Sequence, residues 1–271
     1  MPELPEVETT LAGITPHIQG QRIKQITVRQ PRLRWPVPEN IASCLAGQTV
    51  VATRRRGKYM LFQFKNGVLM IHLGMSGHLR LMSIPENPGI HDHVDIEFSH
   101  GYCLRYCDPR RFGSLHWVEG CVDQHPLLRH LGPEPLTEAF NGAYLYEKSR
   151  KRSVPIKSFL MNSRIVVGVG NIYANEALFN ARLRPLKGAK RVTKSQYAEL
   201  ATQIKSVLSA AIAQGGTTLR DFVDSRGQPG YFAQKLNVYG RADQPCLRCE
   251  TVLKAVRLAD RQTVYCPVCQ K

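Results

Sequence analysis

The residues best suited to chemistry stand at the two ends of the chain. It opens Met1-Pro2-Glu3-Leu4-Pro5-Glu6. Aminopeptidases remove an initiator methionine when the next residue is small, and proline qualifies, so processing leaves Pro2 with a free secondary amine. An α-amino group titrates at about 7.7–8.0, so a neutral fraction exists near pH 7 without any burial. Such an amine can attack an aldehyde-like carbon, for example C1′ of a sugar. A secondary amine then gives an iminium with no neutral imine form, a permanent cation and hence an electron sink. Glu3 is adjacent and is a candidate proton carrier if burial raises its pKa. Taken alone, a Pro-Glu start fits equally well a turn that leads into a helix.

The other end carries Cys246-x2-Cys249, sixteen residues, then Cys266-x2-Cys269. Two close thiolate pairs supply the tetrahedral sulfur shell that Zn2+ prefers, and the gap is long enough for a hairpin that brings the pairs together. Residues 252–258 and 262–265 alternate like strands, with Ala259-Asp260-Arg261 at the turn. Four protein ligands leave no open position, so the zinc is expected to be structural and to hold a segment too short to fold alone. Two disulfides or an iron–sulfur cluster are the alternatives; a cytosolic setting argues against the first and the ribbon-like spacing against the second. Arg261, presented by a rigid hairpin, is a candidate phosphate contact. The other cysteines, Cys44, Cys103, Cys107 and Cys121, are expected to be small core residues or plain thiols. Cys103 and Cys107 have the spacing of a redox or metal pair, but they sit in a strand-like run, which disfavours that use.

What must position these groups follows from composition and pattern. Of 271 residues, 37 are Lys or Arg and 21 Asp or Glu, a net charge of +16 with pI near 9.7. Such an excess favours a polyanionic partner through counterion release, though a solvated basic surface has the same composition. No apolar run approaches the roughly 20 residues needed to span a bilayer. The acidic, proline-rich start is unlike a signal peptide, so a cytoplasmic protein with reduced thiols is expected.

A helix is predicted over 5–18, with Pro5 in its first turn, Glu6 and Glu8 facing the helix dipole, and Pro16 casting doubt on the last turn. Strand-like runs follow at 23–28, 49–53, 59–64, 68–73, 94–98, 102–106 and 114–118, and Asn66-Gly67 signals a tight hairpin. This spacing fits an antiparallel sandwich or barrel of about 120 residues. Near His130 helical patterns take over, at 136–146, 156–161, 171–179 and 194–214; the last opens with a Thr193/Gln196 capping box.

Several motifs occur in order: Pro2-Glu3-Leu4-Pro5-Glu6-Val7-Glu8, Gly57-Lys58-Tyr59, His72-Leu73-Gly74-Met75-Ser76-Gly77, His91-Asp92-His93-Val94-Asp95, Asp108-Pro109-Arg110-Arg111-Phe112-Gly113, Gly168-Val169-Gly170-Asn171-Ile172-Tyr173, Pro229-Gly230-Tyr231-Phe232 and the cysteine tail. Over essentially its whole length the chain closely resembles bacterial formamidopyrimidine-DNA glycosylases. The resemblance implies an α+β multi-domain fold: an N-terminal antiparallel β-sandwich flanked by helices (1–130), a helical helix–two-turn–helix domain with a lesion loop (131–236), and a C-terminal zinc-finger β-hairpin (237–271). It implies a bifunctional glycosylase and abasic-site lyase that removes 8-oxoguanine and ring-opened purines from duplex DNA and cuts the strand by β,δ-elimination, acting as a monomer.

Carried over by motif, the nucleophile falls on Pro2, the general acid/base on Glu3, and lyase roles on Lys58 and Arg261. DNA-binding positions fall on His91, Arg110, Arg152 and Asn171, the last at a helix start whose N–H groups suit a phosphate. The pairing of Arg152, in the basic run Lys148-Ser149-Arg150-Lys151-Arg152, is the loosest of these. Met75, Arg110 and Phe112 match the trio that fills the hole left when a base is extruded. Cys246, Cys249, Cys266 and Cys269 match the structural zinc ligands, and 217–227 the loop over the extruded base. The same scaffold also occurs in endonuclease VIII-like enzymes that prefer oxidised pyrimidines; the trio and the Pro-Glu-Leu-Pro start favour the purine branch. A zinc-ribbon binding protein without catalysis fits the charge and cysteines but leaves Pro2, Glu3 and Lys58 unexplained.

Overall fold

A computed structural model describes residues 2–83, 86–215 and 236–271. The expectations for 217–227 and for Pro229-Gly230-Tyr231-Phe232 lie outside the described residues. The chain divides into two units, one built on 2–129 and the other on 130–213 with 236–271.

The first unit begins with α1 (Leu4–Ile18), whose Leu4, Val7, Leu11, Ile14 and Ile18 form a buried stripe at helical spacing. The last turn, doubtful from the sequence, is formed. Pro16 removes only one hydrogen bond so near the end, and the Gln19 N–H closes the helix on the Thr15 carbonyl at 3.0 Å. Strands β1 (Ile23–Val28), β6 (Asp92–Phe98), β7 (Cys103–Cys107) and β5 (His78–Met82) make one sheet in that spatial order. Strands β2 (Ala52–Arg56), β3 (Tyr59–Phe64), β4 (Gly67–His72) and β8 (Ser114–Val118) make the other. All these pairings are antiparallel. Phe62, Leu69, Ile71 and Leu115 from one sheet share a single apolar core with Ile26, Val94, Ile96 and Leu104 from the other, which makes the unit a sandwich.

Three local expectations change. The run at 49–53 gives way to β2 at Ala52–Arg56, because the pairing with β3 recruits the basic residues Arg54–Arg56 that lack an apolar alternation. Neither β5 nor the short helix α2 (Ile41–Leu45) was expected. The hairpin at Asn66-Gly67 exists, but Phe64 pairs with Gly67, so the turn residues are Lys65 and Asn66. Gly67 opens β4 for a packing reason: a Cβ there would lie 2.6 Å from the Trp117 ring. Of the four scattered cysteines, Cys103 is buried, Cys44 and Cys107 are half-buried, and Cys121 is exposed, so the small-core reading holds for Cys103 alone. Burial pushes the thiols of Cys103 and Cys107 up to about 11 and about 12, which leaves both unreactive near neutral pH.

The second unit contains α3 (Gly142–Ser149), α4 (Ile156–Leu160), α5 (Asn171–Asn180) and α6 (Lys194–Ala213), followed by the hairpin β9 (Lys254–Leu258) and β10 (Arg261–Tyr265). The helix expected over 136–146 starts later. Asn141 caps it by accepting the Tyr144 N–H at 2.9 Å, and turns at Thr137 and Phe140 occupy the preceding residues. Helix α6 carries its capping box: Thr193 Oγ1 accepts the Gln196 N–H at 3.2 Å, and Gln196 Oε1 accepts the Thr193 N–H at 3.1 Å. Among the described residues, no helix is long and apolar enough to cross a membrane.

Candidate active site and nucleic-acid interface

In the first unit, Pro2 and Glu3 are buried at the head of α1. Glu3 is the N-cap residue. Its backbone N–H donates to Glu6 Oε2 at 2.8 Å, one half of the reciprocal capping box that joins the two residues, and its carbonyl accepts the Val7 N–H at 3.1 Å. The proline that precedes it is therefore attached to a fixed point. Any anionic group formed or bound there lies near the positive end of the helix dipole.

Lys58 sits in the two-residue turn between β2 and β3, where Arg56 pairs with Tyr59. The first turn position has φ +58°, which Gly57 supplies without strain. Arg55 ties this turn to α1: its guanidinium donates to Glu8 on the helix and to the Gly57 carbonyl at 2.9 Å. The helix that bears Pro2 and the turn that bears Lys58 are thus fixed to each other. His72, on β4 opposite Tyr59, accepts the Gly74 N–H on its Nδ1 at 3.0 Å. Burial, then the charges of Lys58 and Arg34, push its pKa down to about 4, so the ring is neutral beside the lysine at working pH.

His91 is exposed just before β6. Its carbonyl accepts the Asp108 N–H at 3.0 Å. The loop that leads to it is hung on buried charges. Asp92 Oδ2 accepts the Gly89 N–H at 2.8 Å and an Arg80 donor at 3.1 Å, while Arg105 Nη2 donates to the Glu86 carbonyl at 2.9 Å. Arg105, only 1% exposed, also grips both oxygens of Asp95 at 2.8 Å. Burial alone would raise the Asp95 carboxyl; the bonds from Arg105 and Arg29 hold it below the usual range.

Met75 is half-buried, while Arg110 and Phe112 are exposed. The Arg110 guanidinium lies 4.8 Å from the centre of the Phe112 ring, a cation–π contact that presents the pair together. The two loops touch backbone to backbone. A Cβ on Gly74, whose φ is +66°, would lie 2.4 Å from the Gly113 nitrogen. The loop that carries Met75 and the loop that carries Arg110 and Phe112 therefore lie side by side.

In the second unit, Arg152 is exposed, and its backbone is pinned by bonds to Ser149 and Lys190. Asn171 is the first residue of α5, after the N-cap Gly170; its Oδ1 is enclosed and has no hydrogen-bond partner. Arg261 is half-buried and opens β10, directly after a two-residue turn whose Ala259 and Asp260 have φ of +45° and +59°. Two side chains fix this hairpin to the helices. Lys157 on α4 donates from Nζ to the Gln262 carbonyl at 3.0 Å and to Thr263 Oγ1 at 2.7 Å, and Asn175 on α5 accepts the Val264 N–H at 3.1 Å.

The sulfurs of Cys246, Cys249, Cys266 and Cys269 all lie within 4.8 Å of one another. Three of their separations are 4.0, 3.5 and 3.3 Å. A tetrahedron with Zn–S bonds of about 2.3 Å has edges of about 3.8 Å, so the four thiolates fit a structural zinc ion and fill its coordination sphere. Hydrogen bonding from Thr251 brings the Cys249 thiol down to about 6, toward the form that ligates.

Three family models match the chain: the formamidopyrimidine-DNA glycosylase N-terminal domain over residues 1–115, the H2TH domain of the same enzymes over 131–223, and the zinc finger found in FPG and IleRS over 243–271. The chain belongs to the formamidopyrimidine-DNA glycosylase family. It is 55% identical over 271 residues, all of both chains, to the formamidopyrimidine-DNA glycosylases of Saccharophagus degradans and Cellvibrio japonicus. Among solved structures it resembles the MutM (FPG) protein of Thermus thermophilus, with TM-score 0.90 and 37% identity over 99% of this chain and 98% of that one. It also resembles a Lactococcus lactis FPG variant complexed with a DNA containing Fapy-dG, with TM-score 0.92 and 34% identity over the whole of both chains.

Motif matching to the family leaves out the residues that hold its site together. Lys157 is 1% exposed and Glu176 2%. Glu176 accepts four N–H groups from Asn237, Val238 and Tyr239, and so anchors the approach to the zinc hairpin. A lysine within Ile156–Leu160 and a carboxylate within the otherwise buried face of α5 are the local signals: each is a charge at a position whose neighbours are core. Asp108 opens the motif that carries Arg110 and Phe112 and is likewise enclosed, but the motif itself gives it no role.

Proposed function

We propose that this chain is a base-excision repair enzyme that removes oxidised purines, 8-oxoguanine and formamidopyrimidines, from duplex DNA and then cleaves the strand at the abasic site. The observation that carries the reading is the end-to-end 55% identity to formamidopyrimidine-DNA glycosylases together with a buried Pro2-Glu3 head on a capped helix. Solved complexes of the Lactococcus lactis enzyme hold a Fapy-dG containing DNA and an abasic site containing DNA, a substrate and an intermediate of this sequence of steps. The charge of +16 suits the partner.

In this reading Met1 is removed and the Pro2 nitrogen attacks C1′ while the bond from C1′ to the base breaks and the base leaves with a proton. Glu3 assists opening of the sugar ring by giving a proton to its oxygen. The product is an iminium between Pro2 and C1′. Loss of a proton from C2′ then expels the 3′ phosphate, and loss of one from C4′ expels the 5′ phosphate. Water finally releases Pro2. Lys58 and Arg261 serve these eliminations by holding phosphate charge, while His91, Arg152 and Asn171 anchor the flanking backbone. Met75, Arg110 and Phe112 occupy the space of the extruded base, which offsets an unstacking cost of a few kcal/mol. The four cysteines hold zinc, which supplies rigidity to the hairpin rather than a reactive position. The enzyme works as a single copy in the cytoplasm, on nucleoid DNA.

Borohydride trapping on an 8-oxoguanine:cytosine duplex tests the reading. A covalent adduct that disappears when a tag blocks the Pro2 amine is the expected result; absence of the adduct in protein confirmed to lack Met1 would refute it. Equal cutting of a thymine-glycol duplex would instead favour the pyrimidine branch. If ~6 phosphates are neutralised, log K should fall against log salt with a slope near −5.

A further inference from the structure

The groups assigned to the vacated base stack are partly or wholly exposed, yet the residue that joins them is enclosed. Asp108 has none of its surface accessible. Its Oδ1 accepts the Ser76 hydroxyl at 2.8 Å, and its Oδ2 accepts the Gly113 N–H at 2.8 Å and the Tyr106 hydroxyl at 3.1 Å. Ser76 Oγ in turn accepts the Arg110 N–H at 3.2 Å. Ser76 directly follows Met75, and Gly113 directly follows Phe112. One carboxylate thus clasps both loops next to their inserting residues and reaches Arg110 through one hydroxyl. Its own backbone is fixed as well, by the His91 carbonyl at 3.0 Å and by a bond between its carbonyl and His93 Nε2 at 2.8 Å. Burial, then the Asp108 charge, raise the Tyr106 hydroxyl above its ordinary range, so it remains a donor at any working pH.

We propose that Asp108 is a positioning residue that joins the Met75 loop and the Arg110–Phe112 loop into one rigid insertion unit, and that this clasp sets discrimination of the base opposite the lesion. The inference rests on the function proposed above. Two loops that moved independently would each lose conformational freedom on entering the duplex, and the preformed clasp removes that cost. Apolar filling by Met75 and Phe112 tolerates small displacements. An arginine placed in the vacated stack can also hydrogen-bond the orphaned base opposite, and such a contact tolerates little displacement, because a misplacement of about 1 Å can cost about 100-fold in rate. Loosening the clasp therefore erodes recognition of the opposite base and leaves the Pro2 chemistry intact.

Asp108→Asn tests this, since the amide turns one acceptor into a donor that faces donors already present. In the full-length zinc-loaded enzyme, single-turnover excision is measured on 8-oxoguanine opposite cytosine and opposite adenine, and strand cleavage on a single-stranded abasic oligonucleotide, which has no opposite base and no stack to fill. The expected result is a cytosine-over-adenine ratio that falls at least about 5-fold, excision opposite cytosine down by about 10-fold or more, and single-strand cleavage within about 3-fold of wild type. Tyr106→Phe removes one of three bonds and should shift the ratio the same way by less; it carries the test if the asparagine variant does not fold. An unchanged ratio in a folded variant, or a loss on the single strand equal to that on the duplex, overturns the proposal. A wild type that neither excises nor traps would overturn the proposed function itself, and the clasp's role with it.

Discussion

The sandwich of the first unit and the zinc hairpin of the second solve the same problem by opposite means. The sandwich buries a broad apolar core drawn from α1 and seven of its eight strands, and its turns are placed by that packing. The hairpin has two strands and a core of Phe179, Val238, Cys246, Leu253, Val264 and Cys266, in which two members are themselves metal ligands. A two-stranded ribbon is marginal alone in water. What replaces the missing core is a metal ion and a set of buried polar tethers: Lys157, Asn175 and Glu176. Precise placement of an arginine thus requires rigidity, and rigidity need not come from apolar volume.

The strongest way to break this contrast is to remove the metal. Chelation, or Cys249→Ser, should unfold the tail, since structural zinc binding is worth about 10–16 kcal/mol in comparable sites. Duplex affinity should drop by about 100-fold or more while the thermal transition of the first unit stays in place; a shared loss of both would show that the units do not stand separately. Phe62→Ala provides the converse. It should cost the sandwich about 3–5 kcal/mol and leave zinc content unchanged, as read by denaturation and metal analysis.

Acid sharpens the comparison further. Burial pushes both His72 and His116 down to about 4 in the first unit. A histidine whose folded pKa lies below its unfolded value favours the neutral form, so its contribution is full above about 6.5 and is lost as pH falls toward 4. The loss is at most on the order of 3 kcal/mol for each, since both rings are only half-buried and water screens part of the shift. The melting temperature of the first unit should therefore fall over that window, and His116→Gln should flatten the fall; a pH-independent midpoint would argue against the buried rings. The smallest effect belongs to the hairpin turn. Ala259 holds a φ of +45° that glycine adopts freely, so Ala259→Gly should stabilise the tail by about 1 kcal/mol, measured as resistance to chelator.

Much of this architecture was legible in the residues. The strand periods, the change to helices near His130, the α6 capping box and the paired cysteines each follow from local rules that the structure obeys. The misses have different causes. Strand β2 is built from Ala52-Thr53-Arg54-Arg55-Arg56, whose place is set by pairing with β3 rather than by its own pattern. Helix α3 starts at Gly142 because Asn141 caps it, although the apolar spacing began earlier. The motifs located the groups that reach outward, such as Arg110 and Phe112. They included Asp108 without showing what its carboxylate holds, and they passed over Lys157 and Glu176, whose value lies in partners distant along the chain: Lys157 and Thr263 are 106 positions apart.

The packing of Trp117 over Gly67 has a practical consequence. The chain has two tryptophans, Trp35 and Trp117, and both lie in the first unit. Trp117 is half-buried against Phe64, with its indole N–H on Glu119 at 3.2 Å. Intrinsic tryptophan emission therefore watches the sandwich and is blind to the tail, while cobalt substituted for zinc would give the tail its own thiolate absorption band. One sample carries two independent optical clocks, and the order in which they stop during denaturation is the order in which the molecule comes apart.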